Sequence, residues 1–167
     1  HAGVIAMNKS ACLLVKDVRF MQPLPLDACA QTNQVRLRFL AQNYPNVPVF
    51  LVSRTSYYLF GDNNVPNTPY QPPLMYFSEY LNHASPIVMR EFTQKMTDTV
   101  CTIRRTHPVF LIEPIPEMQQ DIPKAIAKSH LFLNKQVFNT DVGLDFYQSR
   151  NAEILQVFAQ IAKDCDA

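Results

Sequence analysis

The chain has 167 residues, 47% hydrophobic and 17% charged, which predicts a single domain with a substantial core and argues against disorder. The formal net charge of +1 gives no reason to expect nucleic acid or an acidic membrane surface as the main partner. Only 3 residues are Gly, and neither a G-x-G-x-x-G run nor a P-loop occurs, so no phosphate-cradling loop is predicted. Residues 1–167 are therefore interpreted as one domain.

The first quarter of the chain predicts a helix, a short strand and a second helix. Residues 2–15 are mostly apolar and indicate a buried helix, and a strand follows at 18–21. Pro25 and Asp27 are typical of a helix start, and this helix runs to about Asn43. We expect Val35, Phe39 and Leu40 on its apolar face, with Arg36 and Arg38 facing outward.

The middle of the chain combines a strand with a long aromatic segment. Residues 47–52 are a continuous apolar run, which is typical of a strand buried on both faces of a parallel sheet. The chain turns polar at Ser53. The segment 54–83 is rich in aromatic residues and prolines, and we expect a long loop there with a short helix near 74–81.

The second half predicts further helices around another buried strand. Ser85 and Pro86 suit the cap and first position of a helix. A strand is expected at 109–112, a short helix at 121–131 and a final helix at 149–164. The apolar positions of the two longer helices are Met89, Phe92, Met96, Val100 and Ile103 in the first, and Ile154, Val157, Phe158, Ile161 and Cys165 in the last.

This order of elements predicts an α/β fold. Helices that alternate with short, continuously apolar strands favour a parallel sheet flanked by helices. The predicted series opens and closes on a helix, although each helix of such a fold should lie between two strands. We therefore expect one strand to be missing at each end.

The four cysteines allow two interpretations. Cys12, Cys29, Cys101 and Cys165 are widely and irregularly spaced, and no C-x-x-C occurs, so a zinc ribbon or a thioredoxin-like motif is not predicted. The burial preference of cysteine favours reduced thiols in the core. Disulfides are the alternative, and they would place the chain outside the cytosol.

Candidate functional residues are sought in the loops at the carboxyl ends of the predicted strands. Arg54 would bind an anionic group or donate to a developing oxyanion; the alternative is a surface Arg paired with a carboxylate. Glu113 and Glu117 would act as acid, base or positioning groups, or be solvated. Tyr57 and Tyr58 would stack on a sugar, or simply cover the edge of the core.

The histidines and serines predict no complete catalytic set. No two histidines have metal-ligand spacing, so neither a metal site nor a cofactor is expected. His107 precedes a predicted strand, far from the expected site, and is interpreted as structural. His83 is expected to be exposed. No serine lies in a G-x-S-x-G turn.

Three segments carry a family resemblance. The first is His1 and Ala2, which precede the apolar segment. The second is Asp27–Arg54, with a Cys-containing entry to a helix that includes Asn33 and Val35, then Pro48–Ser53 as a strand and Arg54 after it. The third is residues 109–123, which read VFLIEPIPEMQQDIP. Together they resemble the SGNH domain fused to acyltransferase-3 membrane proteins of bacteria. His1 looks like the continuation of its Gly-Asp-Ser-His-Ala block, and 109–123 is similar to its strand, Pro-x-Pro-Glu and Asp-x-Pro run. Arg54 stands where the family often has Arg-Trp, and Arg150, before the final helix, resembles a recurring Arg.

The resemblance implies a three-layer α/β/α, flavodoxin-like fold with a parallel sheet, here without its first and last motif segments. It implies a Ser-His-Asp acyl-enzyme mechanism that transfers an acyl group, usually acetyl, to a cell-surface glycan such as lipopolysaccharide. The nucleophilic Ser would immediately precede His1, and an Asp-x-x-His block would follow Ala167. Arg54 would lie in the oxyanion-hole region.

The resemblance also implies a location and a partner. The domain would lie on the periplasmic side of the bacterial inner membrane, and a membrane acyltransferase domain of the parent chain would deliver the acyl group. Two alternatives stay open: an SGNH-type carbohydrate esterase, and a non-catalytic glycan-binding domain that uses the aromatic loop.

Overall fold

A computed structural model of the protein describes residues 3–9, 12–21, 28–63, 71–83, 85–118, 121–131 and 142–167. These ranges contain helices and short strands in mixed order. The helices are α1 (Ala28–Asn43), α2 (Thr55–Phe60), α3 (Pro86–Arg104), α4 (Ile122–Leu131) and α5 (Leu144–Cys165). The strands are β1 (Arg19–Phe20), β2 (Val49–Leu51), β3 (Met75–Tyr76) and β4 (Val109–Leu111).

The long helices α3 and α5 pack against each other and form the centre of the core. Ser85 caps α3 by accepting a hydrogen bond from the backbone N–H of Ile87 at 3.2 Å, as its sequence predicts. The predicted apolar faces are largely confirmed, since Phe92 and Ile154 are among their fully buried residues. Helix α5 begins five residues before its predicted start at 149, so Arg150 lies inside it.

Strands β2 and β4 confirm the parallel arrangement for one pair of strands, with Phe50 opposite Phe110. The prediction that residues 47–52 are buried on both faces is wrong. Val109 is buried, whereas Phe50 on the opposite face is 61% exposed and stacks on Phe110 at 4.9 Å between ring centroids. Side chains alternate between the faces of a strand, and no described element covers this second face. The three-layer arrangement stays a prediction.

Strands β1 and β3 form a separate antiparallel pair, in which Phe20 lies opposite Met75. The strand predicted at 18–21 therefore does not join the parallel pair. The helix predicted near 74–81 is wrong as well. Pro72 and Pro73 favour extended backbone before this segment, and Met75 is buried as it pairs with β1. Among the described residues of the aromatic segment, a regular helix is found at α2, which follows β2.

The N-terminal segment is not the predicted helix. Residues 3–9 and 12–15 have no regular secondary structure. The carbonyls of Leu13 and Val15 accept hydrogen bonds from the Asn33 side chain, at 2.7 and 2.9 Å, instead of from helical N–H groups. A disulfide between Cys12 and Cys29 joins the same segment to α1. Long-range contacts thus determine its path.

Helix α1 is rotated relative to its predicted orientation. Its buried residues are Cys29, Asn33 and Arg36, which share one face at spacings of four and three. Val35 and Phe39, predicted on the apolar face, are exposed, whereas Leu40 packs against the core and Arg38 is exposed, as predicted. The disulfide at Cys29 and the hydrogen bonds that the Asn33 side-chain amide donates hold this face inward. They explain why Arg36 is buried, although the sequence predicts that it faces outward.

All four cysteines form disulfides, so the expectation of reduced core thiols is wrong. Cys12 pairs with Cys29, and Cys101 of α3 pairs with Cys165 at the end of α5. The Cα atoms of the two pairs lie 5.4 and 4.9 Å apart, which is the ordinary spacing of a disulfide. The second disulfide fastens together the two helices that form the centre of the core.

Candidate functional site

The loops that follow β2 and β4 meet at one edge of the parallel pair. The carboxyl ends of neighbouring parallel strands lie side by side, so residues that are distant in sequence come together there. Arg54 follows β2 and Glu117 follows β4, and the Nη2 atom of Arg54 lies 3.7 Å from the Oε1 atom of Glu117. The structure thus joins two of the residues that the sequence singles out.

Glu117 is fixed by a buried ion pair with Arg150. The Nε and Nη2 atoms of Arg150 lie 2.8 and 2.7 Å from the Oε2 atom of Glu117, and the two side chains are only 7% and 5% exposed. The same Nη2 atom donates to the carbonyl of Gly61 at 2.8 Å. Asn63 donates to the backbone carbonyl of Glu117 at 3.0 Å. The pair is therefore anchored to the loop after α2 as well as to α5.

Arg54 is the exposed member of this cluster. Its side chain is 54% exposed, and its Cζ atom lies 4.3 Å from the centre of the Tyr57 ring. Glu117 Oε1 is buried and accepts no hydrogen bond from the described residues. An aromatic face and a carboxylate thus orient the Arg54 guanidinium, while it stays open to solvent. A cation held in this way can stabilise negative charge on a bound group.

Tyr57 and Tyr58 have different surroundings. Tyr57 is half-buried and supplies the ring face beneath Arg54. Tyr58 packs edge-on against Phe20, with the ring centroids 5.0 Å apart, and its backbone carbonyl accepts from Leu74 at 2.8 Å. Burial raises the pKa of Tyr58, and the nearby charge of Arg54 opposes this rise. Tyr58 therefore packs as part of the edge of the core.

Glu113 does not share the surroundings of Glu117. It is exposed, and it forms no ion pair with the part of the chain that the structure describes. Its charge acts on Tyr147 of α5. Burial is the larger cause of the raised pKa of Tyr147, and the charge of Glu113 is the smaller cause. Of the two glutamates predicted in this loop, Glu117 alone contacts Arg54.

Helix α2 is held against α5 by a buried polar contact. Ser56 donates from its hydroxyl to the side-chain oxygen of Asn151, and the Asn151 amide donates to the carbonyl of Tyr147 at 2.8 Å. Both side chains are almost fully buried, so Ser56 is not accessible as a nucleophile. Sequence reasoning missed Asn151, although its position three residues before Ile154 places a polar group on the apolar face of α5, where it requires a partner.

Gly61 shapes the turn between α2 and the following loop. Its φ angle is +72°, and a Cβ atom added there would lie 2.2 Å from the Cβ atom of Gln71. The Gln71 backbone N–H donates to the carbonyl of Phe60 at 2.8 Å, which brings the two segments close together. Glycine suits this conformation and this space, and the turn directs the Gly61 carbonyl toward Arg150.

The described histidines do not complete a catalytic triad. His107 is buried just before β4, where its Nε2 atom lies 2.9 Å from the carbonyl of Tyr44, in keeping with a structural role. His83 is exposed. His1 lies outside the described residues. Within the described ranges no serine hydroxyl is hydrogen-bonded to a histidine ring, and the site offers a positioned cation.

None of the described helices has both the length and the apolar character required to cross a lipid bilayer.

Comparison with known proteins places the chain in a family. The family model described as "SGNH domain (fused to AT3 domains)" matches residues 1–167. No curated protein and no solved structure was found to match the chain. SGNH domains have α/β folds and, in general, act as esterases or acyltransferases. Since the match extends over the whole chain, the protein belongs to the family of SGNH domains fused to acyltransferase-3 (AT3) domains.

Proposed function

We propose that the chain is the central portion of an O-acyltransferase domain that transfers an acyl group, usually acetyl, to a hydroxyl of a cell-surface glycan such as lipopolysaccharide. The observation that carries this proposal is the Arg54 guanidinium, held by Glu117 and Tyr57 at the shared carboxyl edge of β2 and β4. Ligands and reacting groups of open α/β folds gather at this edge. The general esterase or acyltransferase activity of the family supplies the class of reaction.

The proposed mechanism uses a serine immediately before His1 and an Asp-x-x-His block after Ala167. The histidine takes the serine proton while the hydroxyl oxygen attacks the acyl carbonyl, and the aspartate orients the imidazole. The tetrahedral intermediate then expels the donor's leaving group, which receives that proton, and an acyl-serine forms. A glycan hydroxyl attacks this ester, loses its proton to the histidine and leaves as the acylated glycan. The serine recovers its proton.

Arg54 would stabilise the oxyanion of both tetrahedral intermediates. Its exposed guanidinium forms no hydrogen bond to the described residues, so its N–H donors are available to a bound group. Tyr57 and Glu117 restrain it before the negative charge develops, and such preorganisation is the basis of oxyanion stabilisation. Glu113, Tyr57 and Tyr58 are retained as candidate substrate contacts.

We also propose that the domain lies on the periplasmic side of the bacterial inner membrane, with a membrane acyltransferase domain in the parent chain as its acyl source. The two disulfides support this location, because disulfides persist in oxidising compartments such as the periplasm. The AT3 fusion named in the family description supports the membrane partner. The exposed face around Phe50 and Phe110 supports a further layer over β2 and β4.

The principal alternative is a carbohydrate esterase, in which water replaces the sugar as acceptor. The exposure of Arg54 supports the esterase alternative, because water can reach the site. The glycan-binding alternative is less well supported. Tyr76 and Phe77 of the aromatic segment are buried in the core, so their faces are not open to a sugar.

One experiment separates transfer from hydrolysis. The intact protein is given a chromogenic acetyl ester with and without glycan, and acetylated glycan and free acetate are both measured. A transferase forms acetylated glycan, and its release of acetate falls as glycan is added. Acetate release that glycan does not diminish, without any acetylated glycan, would exclude the transferase.

A further inference from the structure

A cavity of about 240 Å³ lies beside Arg54, at the carboxyl end of β2. Its walls contain three cationic side chains, Lys9, Arg36 and Arg54, together with the polar Ser53 and Tyr58. None of the described residues that line it is an aspartate or a glutamate. The cavity therefore has positive walls, although the chain as a whole is nearly neutral.

Arg36 is the unusual member of this wall. It is only 8% exposed, and its Nη2 atom is buried without a hydrogen-bond partner among the described residues. Its Nη1 atom donates to the side-chain oxygen of Asn33 at 3.2 Å. The Asn33 amide is itself fixed by the carbonyls of Leu13 and Val15. A neutral and rigid group thus holds the guanidinium, and no carboxylate of the described chain pairs with it.

A charge in this position has an electrostatic cost that the described residues do not offset. Burial lowers the pKa of Arg36, because removal from water disfavours the charged form. Arginine nevertheless stays protonated in proteins, and buried charges are normally paired. Lys9 adds a second positive charge to the cavity wall, and its ammonium donates to the Thr32 hydroxyl at 2.8 Å. An anion in the cavity would supply the absent counter-ion.

The volume limits what the cavity can take. At about 240 Å³ it is smaller than a pocket for a drug-sized ligand, which spans roughly 300–1,000 Å³, so it suits one group of a larger molecule. The N–H donors of a guanidinium group are spaced to form hydrogen bonds with two oxygens of a phosphate or a carboxylate. We propose that this cavity binds a single phosphate or carboxylate group of the acyl acceptor, with Arg36 as its counter-ion. Anion binding stands on the cavity itself; assignment of the anion to the acceptor rests on the proposed function.

Titration of the intact protein with three probes tests the binding. Inorganic phosphate and glucuronate carry the two candidate groups, and glucose is the neutral counterpart of glucuronate. Sodium chloride keeps the ionic strength constant, because salt screens exposed charges. We expect saturable binding of phosphate, of glucuronate or of both, and none of glucose. The stronger anion identifies the preferred group. Saturable binding of neither anion would overturn the proposal.

Two substitutions in α1 locate the site. Arg36→Met removes the buried charge and keeps a long side chain, and we expect it to weaken anion binding at least about tenfold. Arg38→Met makes the same change two positions away, at an exposed residue that does not line the cavity, and should leave binding unchanged. Equal weakening by the two substitutions would contradict the proposal.

A melting experiment shows whether the first variant is folded. Removal of an unpaired buried charge should leave the Tm of Arg36→Met unchanged or raise it. Two results together would overturn the proposal: a much lower Tm for Arg36→Met, and a Tm of the unsubstituted protein that anions do not raise. They would show that Arg36 is structural. Arg36→Lys gives a second test, since it keeps the charge and should retain more anion binding than Arg36→Met.

Acyl transfer to glucuronate-containing and glucose-containing oligosaccharides separates the two proposals. Anion binding at Arg36 without any transfer would refute the proposed function and leave the cavity's anion specificity in place. Transfer to both acceptors without anion binding would refute anion binding in the cavity and leave the proposed acyl transfer in place. Preferred transfer to the anionic acceptor, lost in Arg36→Met, is the result that supports both.

Discussion

Arg150 donates to Glu117 from its Nε atom, while its Nη2 atom lies 2.7 Å from the same carboxylate oxygen and donates to the carbonyl of Gly61. The pair joins helix α5 to the loop after β4 and to the turn after α2. Glu117 in turn lies 3.7 Å from Arg54, so the position of the exposed cation depends on a buried contact between distant parts of the chain.

The first prediction concerns the stability that depends on Glu117. Glu117→Gln removes the charge opposite Arg150 and should lower the free energy of unfolding by about 3–5 kcal/mol, because a buried arginine then lacks its partner. Urea unfolding measures the change. Glu113→Gln is the matched control in the same loop, and at an exposed position it should cost less than about 0.5 kcal/mol. Similar small losses in both variants would show that the Arg150 pair contributes little.

The second prediction concerns the turn at Gly61. Gly61→Ala adds a Cβ atom to a backbone with φ of +72° and within 2.2 Å of Gln71, so we expect a loss of about 1–3 kcal/mol or more. Gly143→Ala is the control, since φ there is −62° and nothing lies within 4 Å of an added Cβ. Thermal melting of the two variants should separate them by several degrees. Equal melting temperatures would count against the strained turn.

The third prediction concerns the disulfide between α3 and α5. Cys101→Ala with Cys165→Ala opens a loop of 64 residues and should cost about 4 kcal/mol of unfolding free energy. The matched pair, Cys12→Ala with Cys29→Ala, opens a loop of 17 residues and should cost about 3 kcal/mol. Denaturant unfolding of both double variants, compared with the unsubstituted protein, checks the two values. Stability that is unchanged in the first variant would indicate that helix packing alone holds α3 to α5.

Local sequence patterns predicted the elements whose own residues determine them. The apolar spacing in α3 and α5 and the continuous apolar runs of β2 and β4 are short-range signals, and the structure has these elements near their predicted bounds. The rule that parallel strands end at one edge also placed Arg54 and Glu117 in the loops where they meet.

Features that depend on long-range contacts were not predictable in the same way. The apolar periodicity of α1 predicts an exposed Arg36. The Asn33 side-chain hydrogen bonds and the Cys12–Cys29 disulfide instead turn that face of α1 inward. Nothing near Met75 in sequence indicates its pairing with β1, more than fifty residues away. The Arg150–Glu117 contact joins residues 33 positions apart, and only the packed structure shows that Arg150 supports Arg54 through Glu117.

The most direct test of the central claim is the turnover of Arg54→Ala in the intact protein. Loss of an oxyanion donor should lower acyl transfer by about 10²–10³-fold, whereas loss of a half-exposed ion pair should change stability by no more than about 1 kcal/mol. Arg38→Ala, at an exposed position of α1, should change neither quantity. A large fall in turnover with a nearly constant Tm is the result that we predict. Unchanged turnover with a lower Tm would show that Arg54 is structural and would contradict its role in the reaction.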